Sequence, residues 1–156
     1  MPRPAKAVPE PIDTAAAPRG CTHLKLKQAS RTVARHYESH LASTGLRNMQ
    51  YSLLSHVVVL GPLRAGELAA AMKLDASTLT RNLQPLLDRG LLQVQVGDDA
   101  RSRIVAVTPA GRELRQEAQR AWKRAQLALN ARLGEDRVVA LHALLDECMA
   151  GMEDGA

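Results

Sequence analysis

Apolar residues recur every three or four positions over most of the chain, which is the spacing of amphipathic helices. The spacing predicts helices over residues 22–42, 48–60, 108–133 and 136–152. Val57–Val59 is a β-branched run that is also compatible with a strand, but its unbroken link to the apolar residues before it favours a helix. On the first helix the apolar face is predicted to consist of Leu26, Ala29, Val33, Tyr37 and Leu41.

Gly61 and Pro62 break the second helix, and the predicted elements that follow them are shorter. A short strand at 63–64 and a helix over 65–72 are predicted next. The start of this helix is predicted to be weakly capped, because Arg64 stands where Ser or Thr would be expected.

A further helix is predicted to begin after Asp75, whose carboxylate can cap it, and to end at Asp88, before Gly90. Pro85 lies inside this segment and removes one backbone donor. The leucine spacing crosses the proline without a change of phase, so the helix is expected to continue with a local bend.

A hairpin pattern follows. Leu92, Val94 and Val96 alternate with glutamines, which predicts a half-buried strand, and 104–107 is the predicted return strand. Residues 97–102 form a charged tip. Two short helices followed by a hairpin predict a winged helix-turn-helix, a shape that holds one helix in a groove of DNA.

The predicted fold is therefore mainly α with a small β-wing. Residues 1–20, rich in proline, are expected to be a flexible tail, and 21–152 to form a single domain with the winged unit at about 61–107. The remaining helices, at about 21–42 and 108–152, carry more apolar faces than one small domain needs. A homodimer formed through these terminal helices is the simplest explanation.

Composition narrows the class of protein. The chain has 156 residues, a net charge of +5 and two cysteines, so neither a disulfide framework nor a Cys-x-x-Cys metal site is expected. No apolar run is long enough for a membrane span, and the N-terminus does not resemble a secretory signal, which favours the cytoplasm. The winged unit has six basic against five acidic residues, so its charge supports DNA binding only weakly.

Candidate DNA contacts therefore come from residue types and their positions. Hydroxyl side chains near a helix N-terminus can reach phosphates and base edges, and arginine and glutamine match guanine and adenine edges. An arginine at the wing tip suits the minor groove. The candidates are Ser77, Thr78, Thr80, Arg81 and Gln84 on the helix and Arg101 in the wing.

The sequence of this unit resembles the MarR family of bacterial winged-helix regulators. The resemblance rests on Gly66–Ala69, Ser77–Arg81, Leu87–Leu91, Asp99–Ser102 and Val107–Gly111, and covers roughly residues 21–152. It implies major-groove contacts by the helix residues named above, a minor-groove contact by Arg101, and an Asp99 that braces the wing by pairing with Arg101 or Arg103. Arg103 replaces an apolar residue common in the family and is a further candidate phosphate contact.

The resemblance also implies a homodimer on a pseudo-palindromic operator, and repression that is relieved by a small ligand or an oxidant. A cation and imidazoles in the family's ligand crevice would suit an anionic aromatic effector. The candidate ligand residues are His23, Lys27, Tyr51 and His56.

Redox sensing is the alternative, with Cys21 as the sensing thiol and Cys148 of a partner subunit as the second. The sensing cysteine of one MarR branch aligns with His23, two residues after Cys21, and of its supporting tyrosines only Tyr37 is present. The redox prediction therefore stands second to a ligand.

Other chemistry is not indicated. His36 and His40 have a spacing that can bind zinc, but no third ligand is evident, so no metal site and no cofactor are predicted. No phosphate-binding glycine loop, nucleophile elbow or paired catalytic carboxylates occur, so an enzyme is not expected. Two alternatives stay open: a helical interaction module that does not bind DNA, and, less favoured, a small enzyme using Cys21 and His23.

Overall fold

The computed structural model describes residues 19–97 and 103–153. The helices are α1 (Thr22–Leu41), α2 (Asn48–Leu60), α3 (Ala65–Ala71), α4 (Ala76–Asp88), α5 (Pro109–Leu133) and α6 (Glu135–Glu153), with one 3-10 turn at Ala42–Thr44. The strands are β1 (Leu63–Arg64), β2 (Leu92–Val96) and β3 (Arg103–Val107). These bounds confirm the predicted elements, including the helix over 48–60 and the helix that continues through Pro85.

The three strands form an antiparallel sheet in the order β1-β3-β2. Val105 lies between Leu63 on one side and Val94 on the other. The apolar face of the predicted half-buried strand β2 is covered only at its base: Leu92 is 1% exposed, but Val94 is 42% and Val96 75% exposed. Alternation determines which side of a strand each residue faces. Whether that side is covered depends on the rest of the fold, and here only the base of the hairpin packs on the core.

The start of α3 also differs from the prediction. The Glu67 carboxylate accepts a hydrogen bond of 2.7 Å from the backbone N–H of Arg64. Glu67 is the third residue of the helix, so it supplies the reciprocal half of a capping box. The helix is therefore better capped than the identity of residue 64 suggests.

The core consists mainly of leucine, with valine, alanine and one tyrosine. It joins α2, α3 and α4 to the base of the sheet and to α5; the fully buried large side chains are Leu41, Leu53, Leu54, Leu68, Leu86, Leu92, Val57 and Val105. Among the described residues, no helix is both long and apolar enough to cross a membrane.

The terminal helices are covered much less. On α1 the predicted apolar face is buried only at its C-terminal end, at Tyr37 and Leu41, while Leu26 is 40% exposed. On α6, Val138 is buried, but Leu144 is 56% exposed. Helices with uncovered apolar surface gain stability by packing against another surface.

Candidate nucleic-acid interface

Helix α4 has one apolar and one polar side. Leu79, Leu83 and Leu86 are buried and hold the helix against the core. On the other side lie four exposed residues, Ser77, Thr80, Arg81 and Gln84, and the partly buried Thr78. The structure therefore brings the five helix residues predicted to contact DNA together on one polar surface, which we call the reading face.

Asp75 organises the N-terminal end of this face. Its carboxylate accepts from the Thr78 backbone N–H at 2.8 Å, as the sequence predicts for a cap. It also accepts from the Ser77 hydroxyl at 2.6 Å and from the Thr78 hydroxyl at 2.7 Å. The second role was not predicted, because Asp-x-Ser-Thr is also an ordinary helix start.

These hydrogen bonds lower the pKa of Asp75 below its ordinary value of 3.8, the Ser77 hydroxyl having the largest effect and the Thr78 hydroxyl the next. All of the contributing donors stabilise the charged form of the carboxylate.

We expect Asp75→Ala to lower the midpoint of urea unfolding at pH 7, because the variant loses the cap. A carboxylate whose pKa is lowered by folding stabilises the fold fully above its unfolded pKa, and loses this contribution as the pH falls through the folded pKa. The difference between wild type and variant should therefore narrow below about pH 3.8. Urea titrations at pH 7 and pH 3 measure it, and a difference that widens in acid would contradict this account.

The other polar side chains of the reading face are also oriented within the chain, with one exception. The Thr80 hydroxyl donates to the Ala76 carbonyl at 2.8 Å, and the Gln84 amide donates to Asp88 at 2.7 Å. Within the described ranges, the Arg81 guanidinium has no hydrogen bond or ion pair. Arg81 is exposed, and no group in the described ranges occupies its donors.

Arg89 fixes the C-terminal end of α4. Its guanidinium donates to the carbonyl of Gly45 at 3.0 Å and approaches that of Thr44 at 3.5 Å. These carbonyls lie between α1 and α2, so one side chain joins the end of the reading helix to the turn that links α1 and α2. No residue pattern predicts this contact, because the acceptors are backbone atoms more than 40 residues away.

The base of the wing is joined to α5 by a second set of contacts. The Thr108 hydroxyl donates to the Gly90 carbonyl at 2.7 Å and accepts from the Gly111 N–H at 3.1 Å. The Thr108 N–H donates to the Leu91 carbonyl at 3.2 Å. Thr108 therefore joins the end of α4 and the base of the wing to the start of the long helix.

Of the wing residues predicted to contact DNA, Arg103 is exposed on β3, opposite Val96. Asp99 and Arg101 lie outside the described residues, so their predicted pairing stays a prediction.

The four candidate ligand residues do not share one environment. His23 and Lys27 are exposed near the start of α1. Tyr51 is 7% exposed and stacks on Trp122, with ring centroids 6.3 Å apart. His56 is half-buried, and its Nδ1 is 2.8 Å from the Ser52 carbonyl one turn earlier. Assigning these residues to one ligand stays a prediction.

The two cysteines are free and exposed, Cys21 at the N-cap of α1 and Cys148 on α6. Cys148 therefore lies on α6 and Cys21 directly precedes α1, the two helices with uncovered apolar surface.

His36 and His40 are held by backbone carbonyls. His36 Nε2 lies 2.8 Å from the Ala125 carbonyl, and His40 Nδ1 lies 2.9 Å from that of His36. In the part of the chain that the structure describes, no group of three metal-ligating side chains occurs.

Beside His36, burial raises the pKa of Tyr37, whose hydroxyl donates to Gln126. The contact of His36 with Ala125 and that of Tyr37 with Gln126 attach α1 to α5.

The sequence profile of the MarR family matches residues 44–102. The HTH-type transcriptional regulator YwoH of Bacillus subtilis (strain 168) is 29% identical over 84 residues, which are 54% of this chain and 61% of that protein. The chain thus spans less than two thirds of the length of this relative.

Two solved structures share most of the fold. The M. tuberculosis transcriptional regulator MosR, in complex with DNA, is 30% identical, with a TM-score of 0.67 over 83% of this chain and 98% of the other. A probable transcriptional regulator from Pseudomonas aeruginosa is 27% identical, with a TM-score of 0.73 over 81% of this chain and 95% of the other.

Proposed function

Because the chain belongs to the MarR family of transcriptional regulators, we propose that it is a DNA-binding repressor that inserts α4 into the major groove of a pseudo-palindromic operator. The observation that carries this proposal is the reading face, with its polar residues outward and the leucines of the same helix buried. The DNA complex of the 30% identical MosR supports it. Arg101 is assigned to the minor groove, and Arg103 to the phosphates beside it.

Binding as a homodimer is the second part of the proposal. A two-fold dimer places two reading helices in successive major grooves, about 34 Å apart. The exposed apolar residues of α1 and α6 support this assembly. The charges support it too, since residues 21–42 carry four basic against one acidic residue and residues 134–156 carry one against six.

The proposed dimer predicts that negative charges introduced on the exposed apolar surface of α6 will prevent dimerisation. Leu141 and Leu144 are 43% and 56% exposed, so replacing both with aspartate costs the isolated subunit little. If α6 forms the interface, the double variant should sediment as a monomer at concentrations where wild type is a dimer, because burying two unpaired carboxylates is unfavourable. Analytical ultracentrifugation measures this, and circular dichroism checks that helix content is kept. A variant that remains dimeric would show that Leu141 and Leu144 do not lie in the dimer interface.

DNA binding is tested by titrating the protein against duplex DNA from the region upstream of its own gene at several salt concentrations. We expect log K to fall linearly with log salt, because binding releases counterions from the phosphates. The interaction module without DNA binding predicts no complex at any salt concentration. This alternative stays open because the winged unit is nearly neutral, whereas α1 and α5 have net charges of +3 and +4.

The proposed effector is an aromatic or phenolic acid, bound by His23, Lys27, Tyr51 and His56. The imidazoles and the ammonium group offer donors for a carboxylate or phenolate. Binding would change the separation of the two reading helices and thereby favour the conformer that does not fit the operator. Release of the operator by a series of aromatic acids tests this. His23→Ala with Lys27→Ala should raise the concentration needed for release, whereas release that is unchanged in this variant would exclude these two residues.

A redox-sensing repressor is the second candidate, favoured by the exposure of Cys21 and Cys148. Oxidation by a peroxide would join Cys21 of one subunit to Cys148 of the other, each thiol losing a proton and one electron. Operator release by hydrogen peroxide that disappears in Cys21→Ser, with a peroxide-dependent dimer band on non-reducing gels, would support it. Release that persists in Cys21→Ser would exclude it.

A further inference from the structure

Three hydroxyl groups of the reading face have already donated their only proton. Ser77 donates to one oxygen of Asp75 at 2.6 Å, and Thr78 donates to the other at 2.7 Å. Thr80 donates to the Ala76 carbonyl at 2.8 Å. A hydroxyl has one proton and two lone pairs, so each of these groups can now offer only lone pairs to a ligand.

The groups that accept these three hydrogen bonds cannot act as donors to the hydroxyls in turn. A backbone carbonyl has no proton to give, and an ionised carboxylate only accepts. The pKa of Asp75 lies below its ordinary value, so this carboxylate is ionised at neutral pH. The polarity of the three hydroxyls is therefore determined within the protein before any DNA binds.

We propose that Ser77, Thr78 and Thr80 read the operator as hydrogen-bond acceptors, so that the bases they contact carry an exocyclic amino group, N6 of adenine or N4 of cytosine. This inference rests on the proposed function and specifies its base preference. In the major groove, guanine and thymine offer only acceptors or a methyl group on their own edge. Phosphate oxygens are also acceptors, so these hydroxyls do not make the phosphate contacts that their residue types first suggest.

Arg81 completes the pattern, because it has donors only and its guanidinium is unpaired within the described ranges. The reading face then presents acceptors from three hydroxyls and donors from one arginine. We expect a half-site in which the contacted strand has adenine or cytosine opposite the hydroxyls and guanine opposite Arg81.

The test starts with duplexes that wild-type protein selects from a randomised library. Ser77→Ala, Thr78→Val and Thr80→Val each remove one hydroxyl, and Thr78→Val and Thr80→Val keep the side-chain shape. Each variant should lose discrimination at the base pair that its hydroxyl contacts, with affinity for the selected duplex falling about twofold to tenfold, the range of one neutral hydrogen bond.

Base analogues then determine the polarity of each contact. If the contacted base is adenine, replacing it with purine, which lacks the amino group, should weaken wild type by the same factor and the matching hydroxyl variant no further. For a contacted cytosine, 2-pyrimidinone serves the same purpose. The control is 7-deazaadenine, which keeps the amino group and removes the N7 acceptor, and it should bind like adenine.

Asp75→Asn provides an independent check. The amide oxygen of the asparagine can still accept from the Thr78 N–H. Its NH₂ group cannot accept from the Thr78 hydroxyl, so this hydroxyl becomes free to donate its proton to a base. At the base contacted by Thr78, the variant should tolerate guanine or thymine, while the base contacted by Thr80 keeps its preference. Thermal unfolding should show a folded protein, since asparagine is also a good N-cap.

Three results would overturn the inference while leaving DNA binding intact. In the first, the contacted bases prove to be guanine or thymine. In the second, wild-type affinity falls when 7-deazaadenine replaces adenine but not when purine does. In the third, the hydroxyl variants select the same motif with unchanged discrimination. If wild-type protein enriches no sequence and shows no salt-dependent binding, the proposed function itself has failed.

Discussion

An alanine at position 111 is expected to cost about 3 kcal/mol or more of unfolding free energy, the upper end of what overpacking usually costs. A Cβ atom on Gly111 would lie 2.0 Å from the carbonyl oxygen of Leu91 and 3.0 Å from a methyl carbon of Val107. The nearest atom belongs to the backbone and cannot turn away as a flexible side chain would. Thr108 also holds this carbonyl, through its N–H at 3.2 Å.

Relief of the clash would therefore have to separate α5 from the end of α4 and the base of the wing. Urea unfolding of Gly111→Ala measures the cost. The matched control is Gly66→Ala in α3, where an added Cβ has no neighbour within 4 Å. We expect this control to stabilise the protein by about 0.5–1 kcal/mol, because alanine loses less backbone entropy in a helix. A Gly111→Ala protein as stable as wild type would show that the approach is not tight.

The sequence alone was sufficient for the order and limits of the helices and strands. Helical spacing is a local property, and it persisted across Pro85 because the leucines on both sides belong to one buried face. The reading face was predictable for the same reason, since a helix with buried leucines must present its remaining residues to solvent.

What the sequence could not give depends on contacts between distant parts of the chain. The exposure of Val94 and Val96 follows from how far the hairpin extends beyond the core. The contact of Arg89 with Gly45 has a backbone acceptor and leaves no residue signature. The sequence does not distinguish Gly111 from any other glycine in a helix, because its role depends on the Leu91 carbonyl, which lies next to it only in the folded protein. The proton direction of the three hydroxyls likewise required the positions of their acceptors.

Arg81→Ala is expected to produce the largest loss of sequence-specific binding, about 1–3 kcal/mol of base discrimination, or roughly 5-fold to 150-fold in Kd. Within the described ranges its guanidinium is held by no other group, so wild type breaks no internal hydrogen bond when this side chain reaches a base. Fluorescence anisotropy with the selected duplex and with a scrambled duplex of equal length measures specific and non-specific binding, each at the same series of salt concentrations. The control is Arg120→Ala, which removes the same charge from an exposed position on α5.

The ratio of the two affinities separates a base contact from a phosphate contact. If Arg81 binds guanine, Arg81→Ala should weaken the selected duplex far more than the scrambled one, and discrimination should fall at a single base pair. If Arg81 binds only phosphate, both affinities should fall together and the slope of log K against log salt should decrease by about one. Arg120→Ala should lower both affinities slightly and equally, because it changes the field around the protein but no contact with a base. An Arg81→Ala protein that binds the selected duplex like wild type would remove this residue from the interface.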